Sequence, residues 1–212
     1  MERILPNLDW WTTSHPVLGI EVSSYWREDA GVVFDPLVLS PADLDWFAAR
    51  PVPPSAILLS NRHHYRSSRA FVARFGCPVY CHRDGLHEFT ADQHVLPFAV
   101  GDHLPGGVIA CEVGAICPDD TALYLPAQRA MLFADGLVAG GVAGTRTIGF
   151  VPDVLMDDPA DTKARLLAAF RRLLDAFDFE HLLLAHGGPV IDTGRAQLES
   201  LISEGGRTAF AL

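Results

Sequence analysis

The stretch Ala56-Ile-Leu-Leu-Ser60-Asn-Arg-His-His-Tyr-Arg66 decides the fold. Its first half is a short apolar run bounded by polar residues, which reads as a buried strand. It passes directly into a polar cluster, Asn61 to Arg66. A helical stretch follows across about Ser67 to Phe75, and then a second strand from Pro78 to Cys81. Strand, helix and strand in that order form a crossover unit, so the chain is expected to be an α/β protein.

The flanking sequence extends this pattern. Upstream, Val17 to Trp26 is apolar and β-branched, and Gly31-Val-Val-Phe-Asp35 follows a charged turn, so the two read as a hairpin of strands. Ser40-Pro41-Ala42-Asp43 supplies an N-cap, a proline at the first helical position and an early acid, opening a helix to about Ala49. Downstream, Val108 to Val113, Thr121 to Leu125 and Ala130 to Phe133 are strands separated by Gly, Pro and Asp. The clearest helix opens at Asp158-Pro159. Leu166, Leu167, Phe170, Leu173, Leu174 and Phe177 recur on one face, with Arg165, Arg171, Arg172 and Asp175 on the other. A strand from His181 to Ala185 and a helix from about Arg195 to Leu201 complete the series. Two blocks of strands, each finished by helices, predict two sheets covered on their outer faces. With no repeat or Gly/Ser-rich linker, residues 1–212 read as a single domain.

Composition narrows the function classes. The 212 residues carry 26 acids against 16 bases, a net charge of −10, and Lys163 is the only lysine. Nucleic acid and anionic membrane are therefore excluded as expected partners, because both select clustered positive charge. At 49% hydrophobic the chain can bury a core. Four scattered cysteines, Cys77, Cys81, Cys111 and Cys117, without a Cys-x-x-Cys, read as reduced thiols. The N-terminal residues lack the pattern of a signal peptide, and no apolar run approaches the ~20 residues of a membrane span. A cytoplasmic location is expected.

Three polar clusters each follow a short apolar strand: Asn61 to Arg66, Asp135-Gly136, and His186-Gly187-Gly188. Layered α/β folds place their sites at such strand ends. If the three ends share an edge, His63, Asp135 and His186 converge.

With these motifs in order, the sequence resembles the metallo-β-lactamase superfamily. Val33-Phe34-Asp35-Pro36 resembles the early strands that close with an aspartate. Leu58 to Arg66 stands where the family carries Thr-His-x-His-x-Asp-His, and Ile116-Cys117-Pro118-Asp119-Asp120-Thr121 where a histidine leads the middle segment. Leu132-Phe133-Ala134-Asp135 resembles the strand ending in the bridging aspartate, and Leu183-Leu184-Ala185-His186-Gly187-Gly188-Pro189 the last ligand motif. The resemblance implies a four-layer αββα sandwich. It also implies two divalent metals on five histidines and two aspartates, but of that set only His63, Asp135 and His186 remain. Asn61, Tyr65, Arg66 and Ile116 replace the other four. Isoleucine cannot bind a metal, and arginine stays protonated.

Two readings follow. In the first, no cofactor is bound. Arg66 pairs with Asp135, Asn61 and Tyr65 hydrogen-bond in place of ligands, and Ile116 fills the first-metal side. Arg62, Arg66 and Tyr65 then rim a pocket for a small, anionic molecule. In the alternative, one zinc or another divalent transition metal on His63, Asp135 and His186 hydrolyses an ester, thioester, lactone or phosphodiester. His64, one residue out of register, is expected to line the pocket or lie exposed. The remaining candidates read as structural: Cys81-His82 and His87-Glu88 as surface loop, Asp119-Asp120 as a turn, His181 as a cap. Gly140-Gly141-Val142-Ala143-Gly144 reads as a site-flanking loop. Family members form dimers, so a homodimer is a further open expectation with no legible interface.

Overall fold

A computed structural model describes residues 1–15, 17, 19–38, 40–141 and 146–206. A seven-stranded sheet runs in sequence order: β1 (Glu2–Leu5), β2 (Leu8–Ser14), β3 (Glu21–Arg27), β4 (Val32–Phe34), β5 (Ala56–Leu58), β6 (Val79–His82) and β7 (Val95–Phe98). Its first four strands pair antiparallel, and β4 to β7 pair parallel. Helix α1 (Pro41–Ala48) joins β4 to β5, and α2 (Ser68–Phe75) makes the expected crossover from β5 to β6. Ser40 and Asp43 cap α1 reciprocally.

The second sheet contains β8 (His103–Leu104), β9 (Val108–Glu112), β10 (Thr121–Leu125), β11 (Ala130–Phe133) and β14 (His181–Leu184), in the order β14-β11-β10-β9-β8. A small ribbon, β12 (Val138–Gly140) with β13 (Thr147–Gly149), leads to α3 (Pro159–Ala176), and α4 (Gly194–Ser203) follows β14. The sequence pattern gives no sign of β1 and β2, and its apolar run at Val17 starts four residues before β3. Instead, a backbone hydrogen bond from the Gly19 amide to the His15 carbonyl stands between β2 and β3. Residues 142–144 of the glycine-rich stretch lie outside the described residues.

Side-chain alternation builds the layers. Tyr25, Phe34 and Leu58 point inward against Val108, Leu123, Leu132 and Leu183 of the second sheet. Their neighbours Trp26, Val33 and Ile57 point outward, against Phe47 of α1 and Phe71 of α2. On the far side, Leu166, Phe170 and Leu173 of α3 cover Met131, Phe133, Leu182 and Leu184. The result is the four-layer αββα order. Cys77, Cys81 and Cys111 are buried free thiols within it. No helix among the described residues is long and apolar enough to cross a membrane.

The two sheets are bonded to each other at one end. The buried Tyr25 hydroxyl donates to the Leu184 carbonyl at 2.9 Å and accepts from the Leu184 amide at 2.8 Å. It thereby satisfies the free edge of β14. Replacing Tyr25 with phenylalanine leaves both Leu184 groups buried and unmatched, so Tyr25→Phe should cost about 1–3 kcal/mol in denaturant unfolding. An unchanged midpoint would show that this bond does not join the sheets.

Candidate metal centre

The strand ends of both sheets converge on one cavity of about 950 Å³. From the first sheet comes Asp35, directly after β4, fully buried and at φ 46°. A non-glycine residue in that region is strained and persists only where surrounding bonds enforce it. Here they do. Asp35 Oδ1 accepts from the Ser60 amide at 2.8 Å, and Oδ2 accepts from the Ser60 hydroxyl at 2.5 Å. His64 Nδ1 lies 3.1 Å from Asp35 Oδ2 and 2.9 Å from Ser60 Oγ. Because Ser60 spends its only proton on Asp35, the hydrogen between His64 and this pair must sit on Nδ1. His64 Nε2 is thus presented to the cavity.

There it meets Asp135, at the end of β11, and His186, after β14. Asp135 Oδ1 is 3.3 Å from His64 Nε2 and 2.9 Å from His186 Nε2. Asn61 Nδ2 donates to the other carboxylate oxygen at 2.7 Å. One donor atom from each of His64, Asp135 and His186 lies within 4.8 Å of the others. His186 is held from both sides. The Ser23 hydroxyl donates to the Gly187 carbonyl, and the Ala139 amide donates to the His186 carbonyl at 3.1 Å. Gly187 has φ 86°, and a Cβ there would overlap the Ala139 carbonyl oxygen, so only glycine makes this turn.

The residue beside Asp135 is therefore His64 and not the expected His63, which is exposed at the cavity wall. The turn Arg62–Tyr65 is a 3-10 helix whose backbone departs from helical geometry at His64, so a register counted along an extended motif does not hold. The Arg66–Asp135 ion pair does not form either. Arg66 Nη1 donates to the Ser23 carbonyl at 3.1 Å and the Asp35 carbonyl at 3.0 Å. Ile116 does line the cavity. Tyr65 packs on Phe89 with ring centroids 5.6 Å apart, and Arg62 ion-pairs with Asp119 and with Glu88; neither lines the cavity. Asp119 and Asp120 do form a turn, with the Asp120 amide donating to the Cys117 carbonyl at 3.1 Å, and both are buried. His82 is also buried, whereas His87 is exposed. His181 Nδ1 accepts from the Asp192 amide at 3.0 Å, as a cap.

Charge in the site is tightly coupled. Burial and the Arg66 guanidinium both push the His64 imidazole down, but Asp35 and Asp135 together outweigh them and raise it. Burial would raise Asp135, yet His64 and His186 hold it well below the usual carboxylate range. Burial, and then Asp135, push Asp120 well above that range, and its Oδ2 has no hydrogen-bond partner. Asn61 Oδ1 and Arg66 Nη2 are likewise buried and unmatched.

Asp120 therefore keeps its proton in the folded state and loses it near pH ~4 when unfolded. Folding takes up a proton above that pH, and the stability contributed by this residue falls as pH rises towards the raised value. Asp120→Asn removes the dependence. Its melting temperature should rise relative to wild type, with a gap that widens as pH rises above the ordinary carboxylate range. A gap constant with pH would contradict the protonated assignment.

No protein-family model and no curated protein matches the sequence. Solved structures do. A metallo-β-lactamase family protein from Thermus thermophilus is 19% identical over 94% of this chain and 79% of that chain, with a TM-score of 0.64. The metallo-β-lactamase from Pontibacter korlensis is 16% identical over 95% of this chain and 97% of its own, with a TM-score of 0.67. A third protein, solved in a di-iron-bound form, is 22% identical over 89% and 98%, with a TM-score of 0.65. With its αββα layers and strand-end site, the chain has the metallo-β-lactamase fold.

Proposed function

We propose that the chain is a metallo-β-lactamase-superfamily hydrolase working with one divalent transition metal held by His64, Asp135 and His186. The observation that carries this reading is the Asp35–His64 hydrogen bond. A carboxylate on the far ring nitrogen is the arrangement that orients a metal-ligating histidine and fixes its tautomer. Two imidazoles and one carboxylate suit zinc or iron, and leave room for water or substrate. The unmatched acceptor Asn61 Oδ1 fits a centre that attracts positive charge.

A metal bound there supplies Lewis acidity towards a carbonyl or phosphoryl oxygen and acidifies water. The protein's own residues do the rest. Asp35 and Ser60 lock the His64 ring, Asn61 holds Asp135 so that Oδ1 faces both histidines, and Ser23 fixes the His186 turn. Asp35 and Asp135 set against Arg66 leave one negative charge, so a divalent ion makes the centre net positive. An ester, thioester, lactone or phosphodiester developing negative charge is then favoured.

A second reading rests on the short Asp135 contacts. The His64 and His186 ring nitrogens satisfy Asp135 without an ion, which suits a metal-free binding pocket. Metal analysis of untagged protein purified without chelator separates the two. The hydrolase reading expects about one metal per chain. It expects that metal to survive His63→Ala and to be lost in His64→Ala or His186→Ala. Asp35→Asn should lower metal affinity about 10- to 100-fold in chelator competition. A metal-free wild type, or a metal dependent on His63, would overturn the assignment.

A further inference from the structure

The arginines around the cavity differ in what occupies them. Arg62 is committed to Asp119 and Glu88, and Arg66 Nη1 to two backbone carbonyls. Arg146 lines the cavity beside the His186-Gly187-Gly188 turn, and no carboxylate among the described residues ion-pairs with it. Its position is nonetheless well supported. The guanidinium lies over the Trp10 ring, with Cζ 5.1 Å from the centroid, and Nη1 donates to the Pro189 carbonyl at 3.2 Å. Gly188 makes room for it, since a Cβ at that position would overlap the guanidinium. A stacked, anchored cation is preorganised to receive an anion and loses little entropy in doing so.

The surroundings limit what that anion can belong to. Ile20, Ile116, Val138, Val151 and Leu155 also line the cavity, and Ile20 and Leu155 are exposed at 40% and 59%. A cavity of about 950 Å³ with mainly apolar walls suits a molecule of drug size and largely hydrophobic character. Glu21, the acid at its rim, is exposed to solvent and does not pair with Arg146.

We propose that Arg146 determines specificity at this site, and that the substrate is an amphiphile whose apolar body fills the cavity while its carboxylate is gripped by Arg146. The proposal deepens the hydrolase reading and rests on it only for the fate of the bound molecule. A guanidinium presents paired donors that match a carboxylate, whereas a neutral group of the same shape gains no charge-assisted bond. Because Arg146 adjoins Gly188, two residues beyond His186, the gripped end lies beside the candidate centre. The apolar body then extends towards Leu155 and Ile20.

Calorimetric titration of the protein as purified with phenylbutanoate and its neutral isostere phenylbutanamide tests this. Wild type should bind the carboxylate roughly 10- to 100-fold more tightly than the amide. Arg146→Gln should abolish that advantage and leave amide binding unchanged. Trp10→Leu, which removes the stacking surface but no charge, should weaken carboxylate binding in the same direction. Equal binding of the two probes, binding of neither, or an advantage that survives Arg146→Gln would overturn the proposal. An advantage lost in His186→Ala and kept in Arg146→Gln would put the carboxylate on the metal centre, overturning this inference and leaving the hydrolase reading intact. An Arg146-dependent advantage in protein that holds no metal would do the reverse.

Discussion

The buried carboxylate of Asp35 is the constraint on which the site depends. Its two oxygens collect the Ser60 amide, the Ser60 hydroxyl and His64 Nδ1, while its carbonyl accepts from Ser24 and from Arg66. One side chain thereby fixes where β5 ends, how the Arg62–Tyr65 turn begins, and which tautomer His64 adopts. The cost is a strained backbone at Asp35 and, next to it in space, at Arg66, where φ is 39°. A buried charge with fewer partners would be strongly destabilising. Here the hydrogen bonds that satisfy the charge also set the geometry of the site.

The sandwich brings the other half of the site to meet this one. Tyr25 and Ser23, both on β3, bond to Leu184 and Gly187 around the end of β14. The same strand therefore supports the inter-sheet bond and the turn that carries His186. Trp10 donates from its indole nitrogen to Ser23 Oγ at 2.9 Å and lies beneath Arg146, so β2 links the His186 turn to the cavity wall. Packing between sheets and placement of the site are one problem in this molecule.

The sequence carried most of this architecture. The uninterrupted apolar run Ala56 to Leu59 and the amphipathic series from Leu166 to Phe177 specify a buried strand and a covering helix through burial alone, and burial needs no knowledge of distant residues. Asp135 and His186 were legible because each ends a strand, where topology fixes position. Counting along the motif as though its backbone were regular points to His63 rather than His64. The non-helical step at His64 and the pull of Asp35 turn the neighbouring imidazole inward instead. Charge complementarity points Arg66 at Asp135, whereas its guanidinium reaches the backbone carbonyls of Ser23 and Asp35. Arg146 left no signal at all: its partners Trp10, Gly188 and Pro189 are more than forty residues away in sequence on either side.

X-ray absorption spectroscopy on protein purified without chelator tests the central claim most directly, because it reads the ligands rather than the activity. The expected spectrum is a transition-metal edge with two imidazole nitrogens and a carboxylate oxygen at about 2.0–2.2 Å. The metal edge should be lost in His64→Ala, and edge and imidazole signal should be unchanged in His63→Ala. No metal edge, or a sulfur shell near ~2.3 Å from Cys117, would contradict it.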